Sequence, residues 1–253
     1  MLFTNLLSSV MDLAEQMIIN GAEIYRVEDS INRIFSAFDA KKTDAFILSP
    51  SIVVSVKDSD GNVYTQTRRV NGSVINLEKL HNLNSLSRRI CVEKLSYEQI
   101  NAELDLIKNS KSYSIPFQLF SNALIASCFT LFFGGTAIEA IVSFFIGIVI
   151  KTTTYFMRKI EINVLFSKFV ISFFLTILSF LTFKLGIVDS IAEIIIGNIM
   201  YLIPGIGFTN SIRDLFKGDI FTGVHRLVES VLLSLALAAG YLVAILITGG
   251  AAV

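Results

Sequence analysis

At 253 residues, 53% of them hydrophobic and only 17% charged, with mean hydropathy +0.66, the chain has too little polar surface for an ordinary soluble globule. Its formal net charge is zero and its basic residues form no long run or stripe, which argues against a nucleic-acid partner. The charges are segregated: residues 1–111 hold 13 of the 21 Lys+Arg and 14 of the 21 Asp+Glu, leaving 15 charges for the last 142 residues. Two regions in different solvents are expected, a polar domain over 1–111 and a membrane domain over 112–253.

The chain opens on an amphipathic helix. Leu6, Val10, Leu13 and Met17 recur at helical spacing, while Asp12 and Glu15 interrupt the apolar residues and no Lys or Arg precedes Arg26. A secretory signal has the opposite pattern. Gly21 separates this helix from a second, which carries Ile24, Val27, Ile31, Ile34, Phe35 and Phe38. Short apolar or β-branched runs at Phe46–Leu48, Ile52–Val56 and Val63–Thr67 predict three strands, with Asp60-Gly61 signalling a two-residue type I′ hairpin turn. Asn76 can cap a helix through Ile90, and Ser96 with Glu98 opens another through Ile107. The expected class is α+β, helices on a small antiparallel sheet.

This domain shows no catalytic constellation, no Gly-rich phosphate loop and no cluster of metal ligands, so neither an enzyme activity nor a cofactor or metal is expected. His81 stands alone and reads as structural. Arg68-Arg69 and Arg88-Arg89 are open to two readings, contact with a partner or lipid headgroups and simple solvation. Cys91 and Cys128 fall in different regions and read as unpaired packing residues.

An α-helix needs about 20 mostly apolar residues to cross a ~30 Å hydrocarbon core. Five segments qualify: 117–133, 137–156, 164–187, 190–208 and 222–247. Pro116 suits a helix start, where its missing N–H costs nothing, and Gly134-Gly135 makes the first turn short. The basic residues Lys151, Arg158, Lys159 and Lys168 are assigned to one loop and Arg213, Lys217 and Arg226 to another. Positive loops stay in the cytoplasm, so the polar domain is expected inside the cell and the C-terminus outside.

Residues 201–215 read YLIPGIGFTNSIRDL. Pro204 removes a helix hydrogen bond and Gly205 and Gly207 loosen the backbone beside it, so a break is expected there; broken helices commonly line transporter substrate sites. Asn210 and Arg213, three residues apart, would project to one side of a restarted helix, with Arg213 able to grip a carboxylate bidentately. Asp214 is expected to pair with Lys217. The lesser candidates are Asn198, Glu139 and Glu193, polar groups at or near membrane depth.

The stretches GAEIYRVEDSINRI (21–34), INLEKLHNLNSLSRRI (75–90), LSYEQINAELDLI (95–107) and YLIPGIGFTNSIRDLFKGDIFTGVHRLVES (201–230) resemble the threonine/serine exporter family across almost the whole chain. The resemblance implies a secondary exporter in the plasma or inner membrane, moving a small carboxylate-bearing metabolite. Long members carry a second membrane domain in the same polypeptide, whereas this chain looks like the larger subunit of the split form, associated with succinate rather than threonine and serine. A small hydrophobic membrane subunit would then complete the transporter, and an oligomer is expected. The competing readings are a membrane-tethered enzyme and a regulatory subunit acting through the polar domain.

Overall fold

The computed structural model describes residues 2–48, 50–70, 72, 75–110 and 113–249. It divides into two compact units, Met1–Lys111 with Thr209–Leu227, and Ser112–Phe208 with Val228–Val253.

The first unit opens with helices α1 (Leu2–Ile19) and α2 (Ile24–Ala37). Between them Gly21 adopts φ +96°, a conformation that costs glycine little, and the amides of Gly21 and Ala22 return to Ile18 O and Met17 O to close α1. Strands β1 (Lys42–Leu48), β2 (Ser51–Lys57) and β3 (Val63–Arg69) form an antiparallel sheet in that order. Central β2 alternates strictly, burying Ile52, Val54 and Val56, as a strand with one face on a core must. Helices α3 (Leu77–Glu93) and α4 (Tyr97–Lys108) complete the layer. The core lies between the sheet and the helices, with Val10, Met17, Ile24, Ile34, Phe35, Leu83, Ile90 and Ile100 fully enclosed.

Both expected caps are present, with one change of partner. The Asn76 side chain accepts from Lys79 N, and Ser96 forms a capping box with Gln99 rather than with Glu98, because the reciprocal bond requires the third residue of the helix. The hairpin turns where Asp60-Gly61 predicted, but not as type I′. Asp58 N bonds to Asn62 O, Gly61 alone has positive φ, and the Asp58 carboxylate accepts from Asn62 N at 2.8 Å and from Tyr64 Oη at 3.2 Å. That is a three-residue loop closed by a left-handed glycine.

The second unit is helical: α5 (Ile115–Phe132), α6 (Ala137–Lys159), α7 (Val164–Lys184), α8 (Ala192–Leu202) and most of α10 (Ile220–Thr248), which α9 (Gly205–Lys217) precedes. Four of these, α5, α6, α7 and α10, are long and apolar enough to span a membrane; a fifth span results if α8 and α9, bent by 51° at their break, count as one. The expected single segment 190–208 is therefore two helices, since Pro204 forces Ile203 into extended backbone. Large apolar side chains such as Phe132, Leu246 and Ile247 are two-thirds or more exposed, as lipid-facing residues are. The expected outer tail beyond Thr248 falls, except for Gly249, outside the described residues.

Small residues let the bundle close. A Cβ on Gly197 would lie 2.3 Å from Thr130 Oγ1, and one on Gly240 would lie 2.2 Å from Phe169 O, so α8 packs on α5 and α10 on α7 nearly backbone to backbone.

Candidate functional site

The residues following the break converge on one short stretch of the first unit, the α1–α2 turn. Asn210 Nδ2 donates to Gly21 O at 3.2 Å. Arg226, in the first turns of α10, donates through Nη1 and Nη2 to Ala22 O, each at 3.3 Å. Arg213 Nη1 pairs with Glu23 Oε1, and Lys217 Nζ stands 5.1 Å from the centroid of the Tyr25 ring, a cation–π contact. Asn210 and Arg213 thus do share a side of α9.

Glu23 is buried yet holds two cations, Arg26 Nε donating to its Oε2 at 2.6 Å and Arg213 on its other oxygen. Arg213 keeps 45% of its side chain exposed. One of the two arginines can therefore leave without stranding a buried carboxylate, which matters because an unpaired buried charge is costly. Asp214 is fully buried and paired with Arg226 at 3.0 Å, not with Lys217 as its spacing suggested. The turn between α9 and α10 explains the change, since it folds α10 back to place Arg226 beside Asp214 and leaves Lys217 to Tyr25. Nearby, burial and the negative charge of Asp219 push the Glu28 carboxyl above the ordinary glutamate range.

On the other side of the break, Pro204 opens the helix and its carbonyl accepts from Phe208 N as α9 begins. A Cβ on Gly205 would meet nothing, whereas one on Gly207 would lie 2.7 Å from Ser230 Oγ. Leu202 O, which the break deprives of a helical donor, is bonded by Lys168 Nζ at 2.7 Å. Lys168 thus belongs to α7 and closes the end of α8; it is not the loop cation expected from charge placement.

The lesser candidates lie within the second unit. Asn198 donates to Ser143 Oγ at 2.7 Å, and Ser143 bonds Thr130 Oγ1 at 2.8 Å, a buried polar chain joining α8, α6 and α5. Glu139 caps α6 with Thr136 and also accepts from Ser190 N at 3.3 Å. Glu193 lies in the first turn of α8, its Oε2 buried without a hydrogen-bond partner among the described residues.

Sequence reasoning left Glu23 out of the site and read Arg226 and Lys168 only as loop cations. Their partners are 190, 204 and 34 residues away, beyond any local spacing rule. The one available signal for Glu23 is its place in a Gly-Ala-Glu run directly after a helix-breaking glycine.

The sequence matches the family described as "Putative threonine/serine exporter" over residues 8–248. It is 25% identical over 231 residues to the "Probable succinate transporter subunit YjjP" of Klebsiella aerogenes, covering 91% of this chain and 89% of that protein. To the protein of the same description in Escherichia coli it is 25% identical over 239 residues, covering 91% of this chain and 90% of that one. No solved structure matches the chain.

Proposed function

The chain belongs to the threonine/serine exporter family, and from that membership we propose that it is one subunit of a secondary-active exporter for a small carboxylate-bearing metabolite, with Arg213 as the residue that receives the carboxylate. It is a multi-pass membrane protein, with four or five apolar helices. The relatives' description as succinate transporter subunits supports a dicarboxylate as cargo and a further subunit as partner; a small membrane protein is the partner we propose.

The observation that carries the reading is the shared carboxylate of Glu23. Arg213, which follows the break at Pro204 and Gly205 in the sequence, is half-exposed, and its partner retains Arg26 when Arg213 departs. A substrate carboxylate arriving from the cytoplasm exchanges for Glu23 on the Arg213 fork, one charge-assisted pair replacing another at small net cost. Asn210, on the same side of α9, offers a further donor. Within the second unit, Gly207 admits Ser230 closely, and Asn198 with Ser143 and Thr130 forms a buried polar chain.

Flux in liposomes tests this. Labelled succinate, threonine and serine are loaded and their release followed with this chain alone and with its co-purified small partner. We expect transport only from the pair. Arg213→Ala should abolish it at unchanged protein level, and Arg213→Lys should restore only part, since lysine keeps the charge and loses the fork. Full flux from the single chain would overturn the two-subunit reading, and wild-type flux from Arg213→Ala would remove Arg213 from the pathway.

A further inference from the structure

A second polar feature of the first unit is left unused by this scheme. Helices α2 and α3 flank an open cleft of about 660 Å³ whose lining includes Tyr25, Arg26, Asp29, Arg33, Arg88 and Cys91. The volume is that of a small-molecule site. Three guanidinium groups and one carboxylate line it, an excess of two positive charges. Arg33 is paired with Asp29 at 2.8 Å and Arg26 with Glu23, while Arg88 has no ion pair or hydrogen bond among the described residues. The two walls face each other closely enough for Arg33 and Asp29 of α2 both to act on the Cys91 thiol of α3, whose burial nonetheless raises its pKa.

Like charges gathered in a concavity repel unless an anion joins them, and guanidinium forks match carboxylate and phosphate oxygens. We propose that this cleft binds a small metabolite carrying two negative charges on carboxylate or phosphate oxygens, gripped between Arg88 on α3 and Arg33 and Arg26 on α2. The site communicates with the α1–α2 turn through one side chain. Arg26 lines the cleft and holds Glu23, so an anion that takes Arg26 leaves the Glu23 charge to Arg213 alone and tightens the pair that substrate must open. This consequence for export rests on the reading above; the binding itself does not.

Cys91 serves as the reporter. With Cys128→Ala removing the other thiol, the purified full-length chain is alkylated with neutral iodoacetamide in succinate, in glycerol 3-phosphate, in butyrate as a single-charge control, and in sodium chloride of matched ionic strength. Succinate, glycerol 3-phosphate or both should slow alkylation of Cys91, and which one does so identifies the head group. Butyrate and chloride should not. Arg88→Ala should weaken protection about tenfold, the loss of one charge-assisted contact, and Arg88→Glu should abolish it; both changes fall on an unpaired, exposed side chain, and unchanged melting confirms the fold. Protection should survive Arg213→Ala. Equal protection by butyrate, protection that persists in Arg88→Glu, or none from either dianion overturns the site. Protection in a chain that shows no flux with its partner leaves the site standing and sinks the exporter reading instead.

Discussion

Arg226 braces the α1–α2 turn by tying a fully buried aspartate to a backbone carbonyl. Arg226→Met would strand Asp214, and breaking a buried pair this way costs about 3–5 kcal/mol. A large drop in melting temperature in detergent is expected, partly recovered when Asp214→Asn is added. Arg213→Ala should by contrast melt almost as wild type, since its side chain is half-exposed and such pairs contribute about 1 kcal/mol or less. Equal destabilisation by the two substitutions would contradict the assignment of Arg226 to structure and Arg213 to transport. Glu28 gives a pH-dependent case. Its folded pKa is raised by burial and by Asp219, so the fold is penalised once the carboxylate ionises, and stability falls as pH rises from the ordinary glutamate value through the raised one. Glu28→Gln should flatten that part of the stability profile and raise the melting temperature at neutral pH. None of these pairings could be read from spacing: the i, i+3 rule offered Lys217 to Asp214, and the chain reversal at Gly218 supplied Arg226.

At the scale of elements, hydropathy and turn chemistry located the helices and strands well because each signal is local. Apolar runs marked α5, α6, α7 and α10 to within a few residues, Pro116 and Gly134-Gly135 marked ends, and a β-branched run marked β2. Local signals miss what another element supplies. Pro204 and Gly205 announced a break, but only the fold shows that Lys168 of α7 satisfies the carbonyl it exposes. Lys168→Met should leave Leu202 O unpaired away from water and cost about 1–3 kcal/mol, whereas the same change at Lys184, at the end of α7, should be nearly silent. Gly197 makes a similar point for α5 and α8. Gly197→Val drives a side chain into Thr130 and should cost about 1–3 kcal/mol by overpacking, read as early melting of the full chain. In the hairpin, Gly61 at φ +92° meets only Lys57 Cε, at 3.9 Å. Gly61→Val there is strained by its backbone, costing about 1–3 kcal/mol, and faster hydrogen exchange of the Val63–Arg69 amides measures it.

For the whole molecule, the distribution of basic residues bears on orientation. Of the four assigned to the loop after α6, Lys151, Arg158 and Lys159 remain at or near its end, while Lys168 is drawn into α7 against α8. Arg213, Lys217 and Arg226 lie around the turn between α9 and α10, within the first compact unit. Removing Lys168 from the loop count leaves three basic residues there, still against none between α5 and α6 and, ahead of the α7–α8 turn, only Lys184 at the end of α7. The asymmetry that retains positive loops in the cytoplasm survives the correction. The hairpin tip and the chain end following α10 are therefore expected on opposite faces of the membrane, the hairpin inside. Single cysteines at Ser59, in the exposed β2–β3 loop, and at Ala252, in a background with Cys91→Ser and Cys128→Ala, make the test direct. In intact cells an impermeant maleimide should label Ala252→Cys and spare Ser59→Cys until the cells are opened. Labelling of Ser59→Cys in intact cells, with Ala252→Cys protected, would invert the topology and place Arg213 on the face from which an exporter releases its cargo.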